Sequence, residues 1–276
     1  MTDNLGFSID VPSGNELVSK ILKNTDNFDS IQIFFDSHNL TKKDLENIKK
    51  CISKFKFIFT HSSYQINIGS SYLIDNSDSF YNSSLELVLK EINYSYSVKS
   101  NGLILHTGKN SGLKYDNDIV YNNMITFILQ LFATKVVKKD FLIIIETCSG
   151  QGGEMLANLK DFVNFILSFK NYNFYNNIAV CIDTCHIFQA GYDLNDDKVI
   201  KSVHKIFNKI KNKIKLIHLN DSYNPAGKRV DRHANIGEGH IKTKNLIKFI
   251  KPYKNLPMIF EVSNIFSSYE KFYNTT

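Results

Sequence analysis

Nowhere in this chain of 276 residues does an apolar run approach the roughly 18 residues that cross a bilayer, so a membrane-spanning protein is not expected. The opening residues, MTDNLGFSIDV, lack a basic segment followed by a sustained apolar run, which argues against a secretory signal. Cysteine is sparse: Cys51, Cys148, Cys181 and Cys185 show no paired CxxC spacing. Reduced thiols in an intracellular compartment are therefore expected. No proline-rich linker divides the sequence, which leaves one domain spanning 1–276 as the expected organisation. Arginine is nearly missing, because of 33 basic residues only Arg229 and Arg232 are not lysine. Abundant Lys, Asn, Ile, Tyr and Phe point to an A/T-rich genome, against which two arginines in one short loop stand out. The net charge of +6 suits a polyanionic partner, although many soluble enzymes are as basic.

What the chain does have is a regular alternation. Short apolar runs recur as LGFSID (5–10), SIQIFF (30–35), FKFIFT (55–60), GLILH (102–106), FLIIIE (141–146), IAVCID (178–183), IKLIHL (214–219) and PMIFE (257–261). Their length and near-continuous apolar character predict parallel strands buried on both faces. Between them, segments at 15–24, 40–55, 84–96, 124–137, 159–170, 199–212 and 243–252 space apolar residues by three and four, as helices do. Eight strand–helix alternations in this length predict an α/β fold, a closed (β/α)8 TIM barrel, with a doubly wound open sheet as the alternative.

Reactive side chains gather at the downstream ends of those strands. His61 follows the third, His106 ends the fourth, Glu146 the fifth and Asp183 the sixth. His186 lies just beyond, His218 is near the end of the seventh, and Glu261 closes the eighth. In a parallel barrel these ends share one face, which Asp231 and His233 in the loop after strand seven can reach. A single histidine there is usually a hydrogen-bonded structural residue. Several buried carboxylates interspersed with imidazoles, however, are hard to sustain without cations. Mixed nitrogen and oxygen donors suit zinc or manganese.

Within VCIDTCHIFQAGYDL (180–194) a zinc reading would favour Cys181, Cys185 and His186. Position instead selects Asp183, at the strand end facing the mouth, and His186, three residues on, where the chain turns toward the next helix. Cys181 falls one repeat deeper, among packed barrel layers, and an intracellular cysteine is more often small apolar packing than a ligand.

That stretch, together with HSSYQINIG (61–69), ILHTG (104–108), ETCSGQG (146–152), HLNDSYNPAGKRVDRHANIGEGHI (218–241) and FEVSN (260–264), resembles the endonuclease IV family of apurinic/apyrimidinic endonucleases. The resemblance implies a barrel holding three divalent metals, commonly zinc, with manganese or iron also accepted. His61, His106 and Glu146 would hold the first. Glu146 would bridge to a second, held also by Asp183, His218 and Glu261. His186, Asp231 and His233 would hold the third. The implied partner is double-stranded DNA with an abasic site, bound by a monomer. The implied reaction is hydrolysis 5′ to that site, leaving a 3′-hydroxyl and a 5′-deoxyribose phosphate, with 3′-end cleaning as a possible second activity. Glu146 would orient the nucleophile and Glu261 take up its proton. Tyr64 would fill the gap in the base stack, and Lys109, Lys228, Arg229 and Arg232 would meet phosphates. The glycines of GQGG (150–153) and GEG (237–239) would approach DNA or simply form tight turns.

The family pattern is not followed everywhere. Gln65 replaces an apolar wedge, Ser62 a common aspartate, and Asp10 a histidine at the first strand end. The loop DSHNLTK (36–42) lacks an expected basic residue, for which His38 is the available substitute. Two rival readings remain: a sugar isomerase or epimerase on the same barrel, and a DNA-binding module without catalysis.

Overall fold

Which side chains enter a barrel is decided by the two-residue period of its strands. In the computed structural model, which describes residues 4–10, 25–35, 39–70, 79–110 and 115–275, eight strands form the closed barrel. They are β1 (Leu5–Asp10), β2 (Ser30–Phe34), β3 (Phe57–His61), β4 (Gly102–Leu105), β5 (Leu142–Glu146), β6 (Ile178–Asp183), β7 (Ile214–His218) and β10 (Met258–Phe260). Every pairing is parallel, and the register of β1 against β10 (Phe7 opposite Phe260) closes the sheet. That pairing excludes the open-sheet alternative.

Six of these strands carry an inward apolar residue two positions before a candidate site residue. Phe59, Ile104, Ile144, Cys181, Leu216 and Ile259, with Ala179, form a small buried cluster of their own. It plugs the barrel beneath the mouth. His61, His106, Glu146, Asp183, His218 and Glu261 are the next inward positions along the same strands, so one parity places both layers. The larger apolar cluster lies between the strands and the surrounding helices.

The helices are α1 (Lys42–Ile52), α2 (Ser79–Ser97), α3 (Asn117–Ala133), α4 (Leu159–Ser168), α5 (Thr184–Gln189), α6 (Asp197–Phe207), α7 (Thr243–Ile250) and α8 (Ile265–Tyr273). Helix α1 starts later than spacing alone predicts, because Thr41 and Asp44 form a capping box that sets its first turn. The segment expected to be helical at 15–24, and His38, lie outside the described residues.

Two further elements near the mouth go beyond the strand–helix pattern. One is the short α5, whose N-cap is Asp183 itself. The other is an antiparallel hairpin of β8 (Asp221–Ser222) and β9 (His233–Ala234), which delivers the 223–232 loop to the rim. All four cysteines are free thiols. Among the described residues no helix is long and apolar enough to cross a membrane.

Candidate metal centre at the barrel mouth

Glu146, buried at the end of β5, sits at the middle of the cluster. Its Oε2 lies 3.2 Å from His61 Nε2 and 3.3 Å from His106 Nε2. Its Oε1 lies 2.7 Å from His218 Nδ1. The same His218 nitrogen is 3.0 Å from Glu261 Oε2 and 3.8 Å from Asp183 Oδ2. On the other side, Asp231 Oδ1 is 3.1 Å from His186 Nε2 and 3.2 Å from His233 Nε2. Asp183 Oδ2 stands 3.6 Å from the same His233 nitrogen. Three donor groups result: His61, His106 and Glu146; Glu146, Asp183, His218 and Glu261; and Asp183, His186 and His233. Within each, the donor atoms lie within 4.8 Å of one another. All nine residues singled out from the sequence share one mouth, but the third group contains Asp183 where the sequence reading put Asp231, which instead faces His186 and His233 at 3.1 and 3.2 Å.

Four of the five imidazoles are held by their other nitrogen, as ligating histidines commonly are. His61 Nδ1 donates to Ser62 O at 2.9 Å, His186 Nδ1 to Thr147 O at 2.8 Å, and His233 Nδ1 to Glu261 O at 3.1 Å. His218 Nε2 donates to Gln32 Oε1 at 2.8 Å. What remains facing inward on His186 and His233 is Nε2, buried in both cases and without a hydrogen-bond partner. Buried polar atoms are rarely left orphaned, and two such nitrogens converging on carboxylate oxygens fit a cation.

The electrostatics agree with that fit. Burial alone would depress the imidazoles, yet Asp183 and Asp231 lift His186 well above its ordinary range. Against the same burial, Asp183 and Asp231 raise His233 to about 9. Burial pulls His106 down to about 4. Burial would raise Glu146, but His218 and His106 hold it well below the usual carboxylate range. The carboxylates thus draw positive charge onto His186 and His233, and a bound cation would meet that demand while displacing protons.

Cys181 Sγ also lies close to Glu146 and His218. It belongs to the apolar plug, however, and burial pushes its thiol up to about 12. Cys185 is likewise pushed up to about 12.

Around the centre, the rim differs in character. Tyr64 is 65% exposed, with its ring centroid 4.8 Å from Phe34, 5.6 Å from His106 and 6.0 Å from His61. Gln65 beside it is exposed. Lys228, Arg229 and Arg232 are exposed on the 223–232 loop, where Arg232 Nη1 donates to Asp231 O at 3.1 Å. Arg229 takes a left-handed conformation (φ 55°), held by its N–H to Gln189 O at 3.1 Å. Lys109 is partly committed elsewhere, its Nζ 3.6 Å from Glu154 Oε1.

At two of the glycines of GQGG (150–153) and GEG (237–239) the close approach is made by a neighbouring segment of the same chain. A Cβ on Gly153 (φ 86°) would meet Asn110 O at 2.6 Å, and one on Gly239 would meet Ser222 O at 2.4 Å. Close packing of neighbouring loops requires both.

Sequence reading missed the amides that organise the cluster. Gln32 joins His218 to Glu261. Asn220 Nδ2 reaches Asp183 Oδ2 at 2.6 Å and Glu261 Oε2 at 3.1 Å. Gln151 Oε1 accepts from Asp231 N at 2.9 Å. For Gln32 a signal existed: it is a polar residue at an inward position of an otherwise apolar run, SIQIFF (30–35).

A closed parallel barrel with clustered oxygen and nitrogen donors at its C-terminal face defines a class, and residues 22–269 match the family model described as xylose isomerase-like TIM barrel. Within it, the chain is 31% identical over 264 residues to the probable endonuclease 4 of Mycoplasmopsis agalactiae, covering 93% of this chain and 91% of that protein. The chain belongs to the endonuclease IV family of enzymes. The fold alone is shared with endonuclease IV from Thermus thermophilus (TM-score 0.74, 18% identity, covering 99% of this chain and 97% of that one). It is shared almost as closely with a D-tagatose 3-epimerase-like protein (TM-score 0.71, 18% identity, covering 97% and 93%).

Proposed function

We propose that this protein incises double-stranded DNA at abasic sites, hydrolysing the phosphodiester 5′ to the lesion to leave a 3′-hydroxyl and a 5′-deoxyribose phosphate. The observation that carries this reading is the third donor group, in which the buried Nε2 atoms of His186 and His233 converge on the carboxylates of Asp183 and Asp231. A sugar isomerase or epimerase on this fold needs one or two ions and has no use for a third set. A non-catalytic binding module would keep two carboxylates and two imidazoles, buried or half-buried, crowded together at the mouth to no purpose.

Three divalent ions are proposed, zinc first, with manganese or iron compatible with the same donors. His61, His106 and Glu146 would hold one; Glu146, Asp183, His218 and Glu261 the second; His186, Asp231 and His233 the third. Such ions supply an ionised water near neutral pH and neutralise charge on the phosphate and the departing oxygen.

The chain's own residues do the rest. Glu146, with its two oxygens turned to different donor groups, orients the attacking water between them. Glu261 would be raised by burial, but His218 holds it down to about 2, so it is ionised at neutral pH, and it is the proposed acceptor of the water's proton. An abasic nucleotide lacks stacking and swings out of the duplex more easily than a paired one. Tyr64, exposed beside His61 and His106, is placed to occupy the gap. Lys228, Arg229 and Arg232 would grip phosphates, with Lys109 a weaker contributor because Glu154 shares its charge. Cleaning of blocked 3′ ends would use the same displacement. The protein acts as a monomer, in a reducing compartment that keeps its four free thiols reduced.

The test is incision of a duplex carrying one tetrahydrofuran lesion, with both product ends mapped, beside a ketose–aldose assay. Cleavage 5′ to the lesion with a free 3′-hydroxyl is expected. An intact duplex together with sugar turnover would overturn the reading in favour of the epimerase class.

A further inference from the structure

Gln32 lies in the middle of β2 between Ile31 and Ile33, and is 1% exposed. Its amide makes three contacts. Oε1 is 2.8 Å from His218 Nε2, while Nε2 is 2.6 Å from Glu261 Oε1 and 3.2 Å from Ser8 Oγ. The directions follow from chemistry. An ionised carboxylate only accepts, so the amide nitrogen must face Glu261, and the amide oxygen is left for His218. His218 must then donate from Nε2. Its lone pair is available only at Nδ1, the atom 2.7 Å from Glu146 Oε1 and 3.0 Å from Glu261 Oε2. On Glu261 the same amide occupies Oε1, leaving Oε2 to face His218 and the Asn220 amide.

His61, His186 and His233 have their tautomers set by the backbone carbonyls of Ser62, Thr147 and Glu261, which no substitution at those positions removes. His218 differs, because a side chain on a different strand sets it.

We propose that Gln32 is a positioning residue for the group formed by Glu146, Asp183, His218 and Glu261: it selects the nitrogen of His218 and the oxygen of Glu261 that face the cation. The inference rests on the metal reading given under the proposed function. It concerns one donor group, so its loss weakens one ion and spares the others. Outer partners of metal ligands typically contribute about 10–100-fold in affinity.

The variants are Gln32→Leu, which removes both contacts, and Gln32→Glu, which keeps an acceptor for His218 but cannot donate to Glu261. Ions retained per chain are measured on the metal-loaded protein after dialysis against graded zinc buffers, with melting of the metal-free protein alongside. Gln32→Leu is expected to release one equivalent at about 10–100-fold higher free zinc than wild type, the remaining equivalents being unmoved. Gln32→Glu should fall between the two. Incision by Gln32→Leu should lose kcat while KM for the lesion duplex stays within about twofold, since the rim is untouched.

Release of all equivalents together, or a metal-free melting temperature that falls with the metal-loaded one, would reduce Gln32 to a packing residue. Wild-type retention in Gln32→Leu would sink this inference while leaving the proposed function standing. A wild-type protein that holds no ion would sink both.

Discussion

The metal-type centre and the rim around it occupy the same barrel face but are built differently. In the centre, His61, Glu146, Asp183 and His218 end strands and are buried; a backbone carbonyl holds His61, buried amides hold Asp183 and His218, and the imidazoles of His61 and His218 flank Glu146. On the rim, Tyr64, Lys228, Arg229 and Arg232 are exposed on loops, and Arg232 shows a side-chain contact only to the carbonyl of Asp231. Chemistry that must hold atoms to a fraction of an ångström is placed on rigid elements. The proposed contacts with DNA are left to exposed side chains that can adjust.

Substitutions can break that contrast, or sharpen it. Glu261→Gln strikes the centre and should reduce incision by about 10³-fold or more in single-turnover assays, while lesion binding persists. Equal loss of binding and incision would mean that centre and rim are not separable.

Glu91 tests the anchor of the rim loop. Its buried carboxyl accepts from Ser63 N at 3.1 Å, and burial raises it to about 7 from an ordinary 4.5. The folded protein therefore binds more protons than the unfolded chain between those values. Stability falls as pH rises through that window, being fully retained below about 4.5 and lost above about 7. Relative to Glu91→Gln, the wild type should lose up to about 3 kcal/mol between pH 5 and pH 8 in denaturant melts. Parallel pH curves for the two would remove the buried-acid reading.

Tyr64→Ala should weaken selective binding of lesion duplex by about tenfold, in line with about 1–3 kcal/mol for one stacked ring, with ion content unchanged. Arg229→Ala should have the smallest effect, a few-fold loss and a salt dependence shallower by about one unit in log–log slope. A larger effect at Arg229 than at Tyr64 would shift recognition from shape to charge.

The same contrast explains what can be read from the sequence. Eight apolar runs with polar residues at their downstream ends are governed by a two-residue period and a parallel topology, so the barrel and its six strand-end residues follow from local pattern, while His186, Asp231 and His233 come from a helix and a hairpin beyond it. Helix limits shift where caps intervene, as at Thr41 and Asp183. The amides of Gln32, Asn220 and Gln151 escape a reading of the sequence because their partners are remote: Gln32 meets His218 across 186 positions, and Gln151 meets Asp231 across 80. No periodicity encodes such pairs. Lys109 reads as a phosphate contact in the sequence, and only the folded loops reveal Glu154 beside it. Depth, not parity, distinguishes Cys181 from the mouth residues, since it is inward like Asp183 but one layer deeper.

Elemental analysis of purified, active protein tests the central arrangement most directly. Close to three divalent ions per chain are expected, dropping toward two in His233→Ala as the donor group shared by Asp183, His186 and His233 is broken. A single ion per chain, unchanged by His233→Ala, would contradict it.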